Sequence, residues 1–211
     1  MEENGSYIVC AGRSEQFDFA QPVGIGMMEV AINLTRLCLS KKPKFILFVG
    51  TAGSYGEKKI FDIIESKTAS NIENSFFTGG SYTPIDNVVS TVKDVSQPSR
   101  VAKLHRYGFN ITDDKQLSSA LHVSRETLVN SSNYITTDKS LGKYYLAQNI
   151  HLENMEYFAV LKVAQTFGIS AGGIFIVTNY CDENAHEDFL KNQKEAMEKL
   201  TEYVKAKVQT A

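Results

Sequence analysis

Apolar positions fall into two rhythms along this chain. Compact runs at YIVCAG (7–12), KFILFVG (44–50) and IFDIIES (60–66) read as strands, the last two as central ones. Between the first pair, MMEVAINLTRLCLS (27–40) sets Met27, Val30, Ala31, Leu34, Leu37 and Cys38 at helical spacing, which predicts a helix with one buried face. GTAGSYG closes the run at 44–50 and reads as a turn built on Thr51, Ala52 and Gly53. From 70 to 118 the rhythm is lost among Ser, Asn, Asp, Gly and Pro, so loops, hairpin arms and a candidate lid are expected there. Order returns with LHVSRETLV (121–129) and a helix over DKSLGKYYLAQ (138–148). ENMEYFAVLKVAQTF (153–167) gathers Met155, Phe158, Ala159, Val163 and Phe167 on one helical face, and Gly168 stops it. GGIFIVT (172–178) is the last strand, and the charged amphipathic stretch 186–208 is a closing helix.

Strand, glycine-rich turn and helix in succession predict an α/β fold: one domain over 1–211, a three-layer doubly wound sandwich whose ligands sit beyond the carboxyl ends of the strands. At 211 residues, 43% hydrophobic and 22% charged, one core suffices. Lys and Arg number 22 against 24 acids, with no long block of either sign. That balance argues against nucleic acid or a polybasic membrane contact and for a small-molecule partner. The turn PVGIGMMEV has glycines at 24 and 26 but lacks the third of a dinucleotide fingerprint, and it is not a Walker loop, so no cofactor is expected. MEENGSYIVC lacks the basic flank and apolar core of a secretory signal, so a cytoplasmic protein is expected. No apolar stretch approaches the ~20 residues of a membrane-spanning helix. Cys10, Cys38 and Cys181 are too few and too scattered for a disulfide scaffold or a zinc site, and read as buried reduced thiols. His105, His122, His151 and His186 lie far apart without an i, i+4 metal pair, and read as surface or loop residues; no metal is expected.

TNYCD (178–182) sets polar groups where the last apolar run ends. Taken with GIGMMEVAINLTRL, FVGTAG and ENMEYFA, in that order and approximate spacing, IVTN resembles the nucleoside phosphorylase and nucleosidase superfamily. That pattern is a Gly-rich turn, a G-[ST]-A-G turn, a V-E-M-E-x-x-A helix start and a strand ending in Ser-Asp or Thr-Asn. The resemblance spans 8–69 and 121–208, and is closest to the methylthioadenosine/S-adenosylhomocysteine nucleosidases and the futalosine hydrolases. It implies a mixed, partly barrel-like central sheet and a homo-oligomer, dimer or larger. It also implies cleavage of the bond between a purine and ribose through a ribosyl cation-like transition state, attacked by water or by phosphate.

Roles follow from the resemblance residue by residue. Glu156 matches the acid that accepts the ribose hydroxyls, as suits an acceptor-only carboxylate, and Met155 packs on the sugar. Asn154 stands in the sugar site where the pattern has another Glu. Tyr134 matches an aromatic platform for the base. Asn179, with Thr178, falls where 6-aminopurine enzymes carry an Asp that protonates N7; an amide cannot supply that proton, but it can hydrogen-bond a 6-oxopurine such as hypoxanthine. A slipped alignment gives the acid's role to Asp182. Glu15 matches a general base for water, while Arg13, Gly26 and Thr51 are the candidate phosphate contacts of a phosphorylase. Phe48 occupies the position of a phosphate-binding Arg in bacterial hexameric phosphorylases. Hydrolysis of an inosine- or futalosine-like nucleoside is the leading reading; phosphorolysis with phosphate as co-substrate, and nucleoside binding without turnover, stay open.

Overall fold

The computed structural model describes residues 5–81, 84, 86–91 and 127–209. Among them nine strands form one mixed sheet: β1 (Ser6–Cys10), β2 (Gln21–Pro22), β3 (Phe45–Ser54), β4 (Ile63–Ser66), β5 (Thr68–Ser70), β6 (Val88–Ser90), β7 (Leu128–Asn130), β8 (Ile150–Glu153) and β9 (Ser170–Tyr180). The helices are α1 (Gly26–Lys41), α2 (Asn74–Phe77), α3 (Gly142–Leu146), α4 (Tyr157–Phe167) and α5 (Ala185–Gln209). Because side chains alternate along a strand, β3 feeds two cores. Ile46 and Phe48 pack with Val30 and Leu34 of α1 and Val160 of α4, whereas Phe45, Leu47 and Val49 pack with Ala196, Leu200 and Val204 of α5. The result is a three-layer α/β sandwich around a curled, half-barrel sheet. Phe48, Tyr157 and Phe175 touch ring to ring without solvent exposure; burial of each contributes roughly 1.5–3 kcal/mol.

One junction in this sheet positions everything that follows. β9 runs parallel to β3 over its whole length, from Phe45↔Ser170 to Ser54↔Tyr180. The other edge of β3 is therefore shared: β1 pairs with it in parallel up to Phe48, and β8 pairs antiparallel at Gly53 and Ser54. Between those partners, residues 49–52 have no strand on that edge among the described residues.

Several sequence expectations are corrected. Thr51, Ala52 and Gly53 are strand, not turn: β3 absorbs an extra β9 residue in a register shift between Ala52 and Gly53 and continues to Ser54, held by β9 and β8. Residues 150–153 form β8, so the helix expected from 153 begins at Tyr157, and Met155 precedes it. The helix expected at 138–148 is a 3₁₀ turn, Lys139–Leu141, followed by α3. β4 is shorter than 60–66 and pairs with β9 alone among the described strands, so it is an edge. His151 lies buried on β8, within 3.4 Å of Glu57; His186 is exposed, and His105 and His122 lie outside the described residues, as do 92–118 of the expected lid and 121–126 of the next ordered stretch. Cys10, Cys38 and Cys181 are unpaired and buried, as expected. Among the described residues no helix is long and apolar enough to cross a membrane.

Candidate active site

The unpaired edge of β3 is completed by side chains. After β1 the chain reverses in a tight turn, with Glu15 N–H donating to Gly12 O (3.0 Å) and Gly12 and Arg13 both at positive φ. The turn swings Glu15 to Thr51, whose N–H donates to Glu15 Oε2 (3.1 Å) and whose hydroxyl donates to Glu15 Oε1. The Thr51 carbonyl is met by Asn154 Nδ2 (3.0 Å), while Asn154 Oδ1 accepts the N–H groups of Glu156 (3.0 Å) and Tyr157 (2.9 Å). Asn154 thus ties the sheet edge to the start of α4, using donor and acceptor at once as a carboxylate could not. Gly50 admits Glu15: a Cβ there would lie 3.1 Å from Glu15 Oε2 and 2.9 Å from the Phe48 ring.

Glu156 is reached from the other side by the glycine-rich turn. Gly24 and Gly26 adopt positive φ, and the turn presents the Gly26 N–H to Glu156 Oε1 at 2.8 Å. Glu29 steadies it by accepting the Ile25 N–H (2.9 Å). Glu156 is only 4% exposed. Burial first, and the charge of Glu15 second, push its carboxyl up to about 7, against the Gly26 N–H, which favours the ionised form. Burial also raises the Glu15 carboxyl, partly offset by the two Thr51 donors. The two carboxyls therefore stand close enough that the charge of Glu15 opposes ionisation of Glu156.

Asn179 sits where β9 bulges past β3, opposite Gly53. A Cβ on Gly53 would come within 3.0 Å of Asn179 Nδ2 and 2.9 Å of Cys181 Sγ, so glycine is what lets that amide lie against the strand. Asn179 Oδ1 accepts the Thr178 hydroxyl (2.9 Å), and Nδ2 donates to Tyr180 O (3.0 Å), leaving one amide N–H for a ligand. Asn192 of α5 donates to Thr178 O (2.8 Å) and pins the segment. Asp182 is occupied elsewhere: its Oδ1 accepts the Asn184 N–H (2.9 Å) in the turn leading to α5.

Glu15, Gly26, Thr51, Asn154 and Glu156 are thus directly linked, with Asn179, Thr178, Ala52 and Gly53 adjoining along β3 and β9. Tyr134 is 73% exposed, on a segment whose Asn133 Oδ1 lies 3.6 Å from where a Gly26 Cβ would stand. Met155 is half-buried. Arg13 and Arg36 are exposed, and Arg100, Arg106 and Arg125 lie outside the described residues. A shallow depression lined by Gln16, Met197, Glu198, Thr201 and Glu202 includes none of the linked groups, whose own geometry marks the site better. Sequence reasoning passed over Glu153, a buried acid beside this cluster. The signal was there: it occupies the Val position of the V-E-M-E pattern.

No curated protein sequence matches this chain. Among solved structures it resembles a variant of the Helicobacter pylori 5′-methylthioadenosine/S-adenosylhomocysteine nucleosidase with 5′-methylthioadenosine in the active site (TM-score 0.71, 16% identity, 98% of each chain covered). It resembles equally the futalosine hydrolase of Helicobacter pylori (TM-score 0.71, 16% identity, 98% of this chain and 99% of that one). A Streptococcus pneumoniae MTA/SAH nucleosidase in complex with 8-aminoadenine follows at TM-score 0.69 and 14% identity, with 98% of this chain and 99% of that one covered. These likenesses establish the fold. The profile of the phosphorylase superfamily matches residues 5–209, and the chain belongs to that superfamily.

Proposed function

We propose that this protein is a nucleosidase that hydrolyses the N-ribosyl bond of a purine nucleoside. The observation that carries the reading is the approach of Glu15 and Glu156 to one another beside the Thr51 edge, a half-buried and a buried carboxyl held by different turns for which packing alone gives no reason. Glu156, ionised, accepts the ribose hydroxyls. Glu15 takes a proton from water as water attacks the anomeric carbon, and the negative charge of the pair favours the cation-like sugar between them. Phe48 is sealed in the core, the Gly26 N–H is already given to Glu156, and Arg13 faces solvent, all of which support water over phosphate as nucleophile. Asn179 offers an amide N–H to the departing base, which supports a 6-oxopurine such as an inosine- or futalosine-like substrate; of the similar structures, one holds 5′-methylthioadenosine and another is a futalosine hydrolase. Tyr134 and Met155 complete the reading as the faces for base and sugar.

The test is release of free purine from inosine, futalosine, adenosine and methylthioadenosine, with and without phosphate. Hypoxanthine-type base released without phosphate is the expected result. Release only with phosphate would replace the hydrolytic reading, preference for adenine would overturn the role given to Asn179, and binding without release would assign a nucleoside-binding role.

A further inference from the structure

Glu153 is a carboxylate that the ribosyl chemistry leaves unused. It is 7% exposed at the end of β8, in register with Gly53. An acid in such a place carries a desolvation penalty that only its own hydrogen bonds offset, so its partners reveal its task. Oε1 accepts the Thr136 N–H (2.8 Å), and Oε2 accepts both the Thr136 hydroxyl and the Tyr55 hydroxyl (2.8 Å). Tyr55 is itself fixed, its ring stacked on buried Tyr145 at 4.0 Å and 9°.

Thr136 is one end of a short arch, residues 131–136. The other end is fastened independently: Ser131 N–H donates to Ser70 O (2.7 Å), Ser131 Oγ accepts the Phe158 N–H (2.9 Å), and Ser132 Oγ donates to Glu73 Oε2 (2.8 Å). Between the two ends Tyr134 and Ile135 stand 73% and 52% exposed. The first footing belongs to the sheet, α4 and Glu73, and its Ser132 Oγ also accepts the Tyr134 N–H (3.1 Å); the second is chiefly the Glu153 side chain, three residues before Glu156, with Asn74 Oδ1 at 3.4 Å from the Thr136 hydroxyl. We infer that Glu153 is a positioning residue, whose carboxylate is the second footing of this arch and sets where the Tyr134 ring stands relative to Glu156. The inference rests on the reading of Tyr134 as the platform for the base.

The experiment compares wild type, Glu153→Gln, Glu153→Val, Tyr134→Ala and the Glu153→Val/Tyr134→Ala double variant by amide hydrogen exchange of 133–136 and by steady-state kinetics on whichever nucleoside the wild type cleaves. Glu153→Val is expected to speed exchange across 133–136 and to raise KM about tenfold with kcat within about twofold, the mark of lost binding and not of lost chemistry. Glu153→Gln keeps an acceptor for the Thr136 N–H and is expected to recover most of both effects. Once Tyr134 is removed, Glu153→Val is expected to change KM less than about twofold, because residues acting through one another are not additive. Unchanged exchange over 133–136, or KM effects that multiply in the double variant, would overturn the inference. If Glu153→Val does not fold, Thr136→Val, which removes the hydroxyl that Glu153 accepts, is read in the same assays, and wild-type exchange and KM in it count against the footing. A wild type that cleaves nothing sinks the proposed activity, while exchange over 133–136 still decides whether Glu153 holds the arch.

Discussion

Two buried acids in this protein are treated in opposite ways. Glu65, on edge strand β4, is 8% exposed and receives the Tyr203 hydroxyl (2.8 Å) and the Lys207 ammonium, both from α5. Lys207 also lies over the Tyr203 ring, 5.5 Å from its centre, and the Tyr203 hydroxyl is pushed up to about 12 by burial and then by Glu65. Glu156 is 4% exposed, and its neighbours are a backbone N–H and a second carboxylate. A cation and a hydroxyl on α5 fasten the first acid and so close the helix onto the sheet. Burial first, and a like charge second, oppose ionisation of the second acid, which suits proton chemistry and is what a merely structural acid avoids.

The sharpest way to break this contrast is to neutralise the site. Glu15→Gln keeps an acceptor for the Thr51 N–H but no longer takes a proton, so kcat/KM is expected to fall on the order of a thousandfold, with the melting temperature unchanged or higher at pH 8. A fall in both would place Glu15 among the structural acids. Lys207→Met is the mirror image: Glu65 loses its cation, and stability is expected to drop by about 3 kcal/mol, with kcat/KM of the folded enzyme unaltered. Denaturant melts alongside initial rates separate the two effects.

Acidity gives a third test. The folded-state value of Glu156, about 7, lies above its ordinary 4.5. Its contribution to stability is therefore fully present below about 4.5 and is lost as pH rises through about 7. The melting temperature is expected to decline from pH 5 to 8 while kcat/KM climbs, and Glu156→Gln should flatten the thermal trend; parallel movement of rate and stability would contradict it. The smallest effect is at the clasp: Tyr203→Phe removes one hydroxyl from Glu65 and is expected to cost about 1 kcal/mol with no kinetic change.

Elements built from local periodicity were legible in the sequence. α1, β3, β9 and α5 each carry enough apolar residues in one rhythm to declare themselves, and the G-[ST]-A-G, ENME and TN stretches lie beside one another along β3 and β9. What could not be read is whatever depends on distant partners. β8 is four residues long and exists because β3 and β7 flank it, so its letters passed for the start of a helix. Thr51-Ala52-Gly53 looks like a turn because small residues usually make one; here the missing Cβ of Gly53 serves the approach of Asn179 and Cys181. Asn154 looked like a lost acid, but its partner Thr51 is 103 positions away and only the fold displays the bond.

The gap on the β3 edge also bears on how the molecule reaches its native state. Thr51 can satisfy its N–H and carbonyl only after residues 36 positions upstream and 103 positions downstream have arrived. Contacts of such separation form late, because loop closure must precede them. Until then the middle of the central strand offers open hydrogen-bonding groups to any passing chain, the condition that favours association during folding. The side chains assigned to chemistry are therefore also the last stitches of the sheet, and a newly made chain becomes competent for catalysis at the same moment that it stops being adhesive.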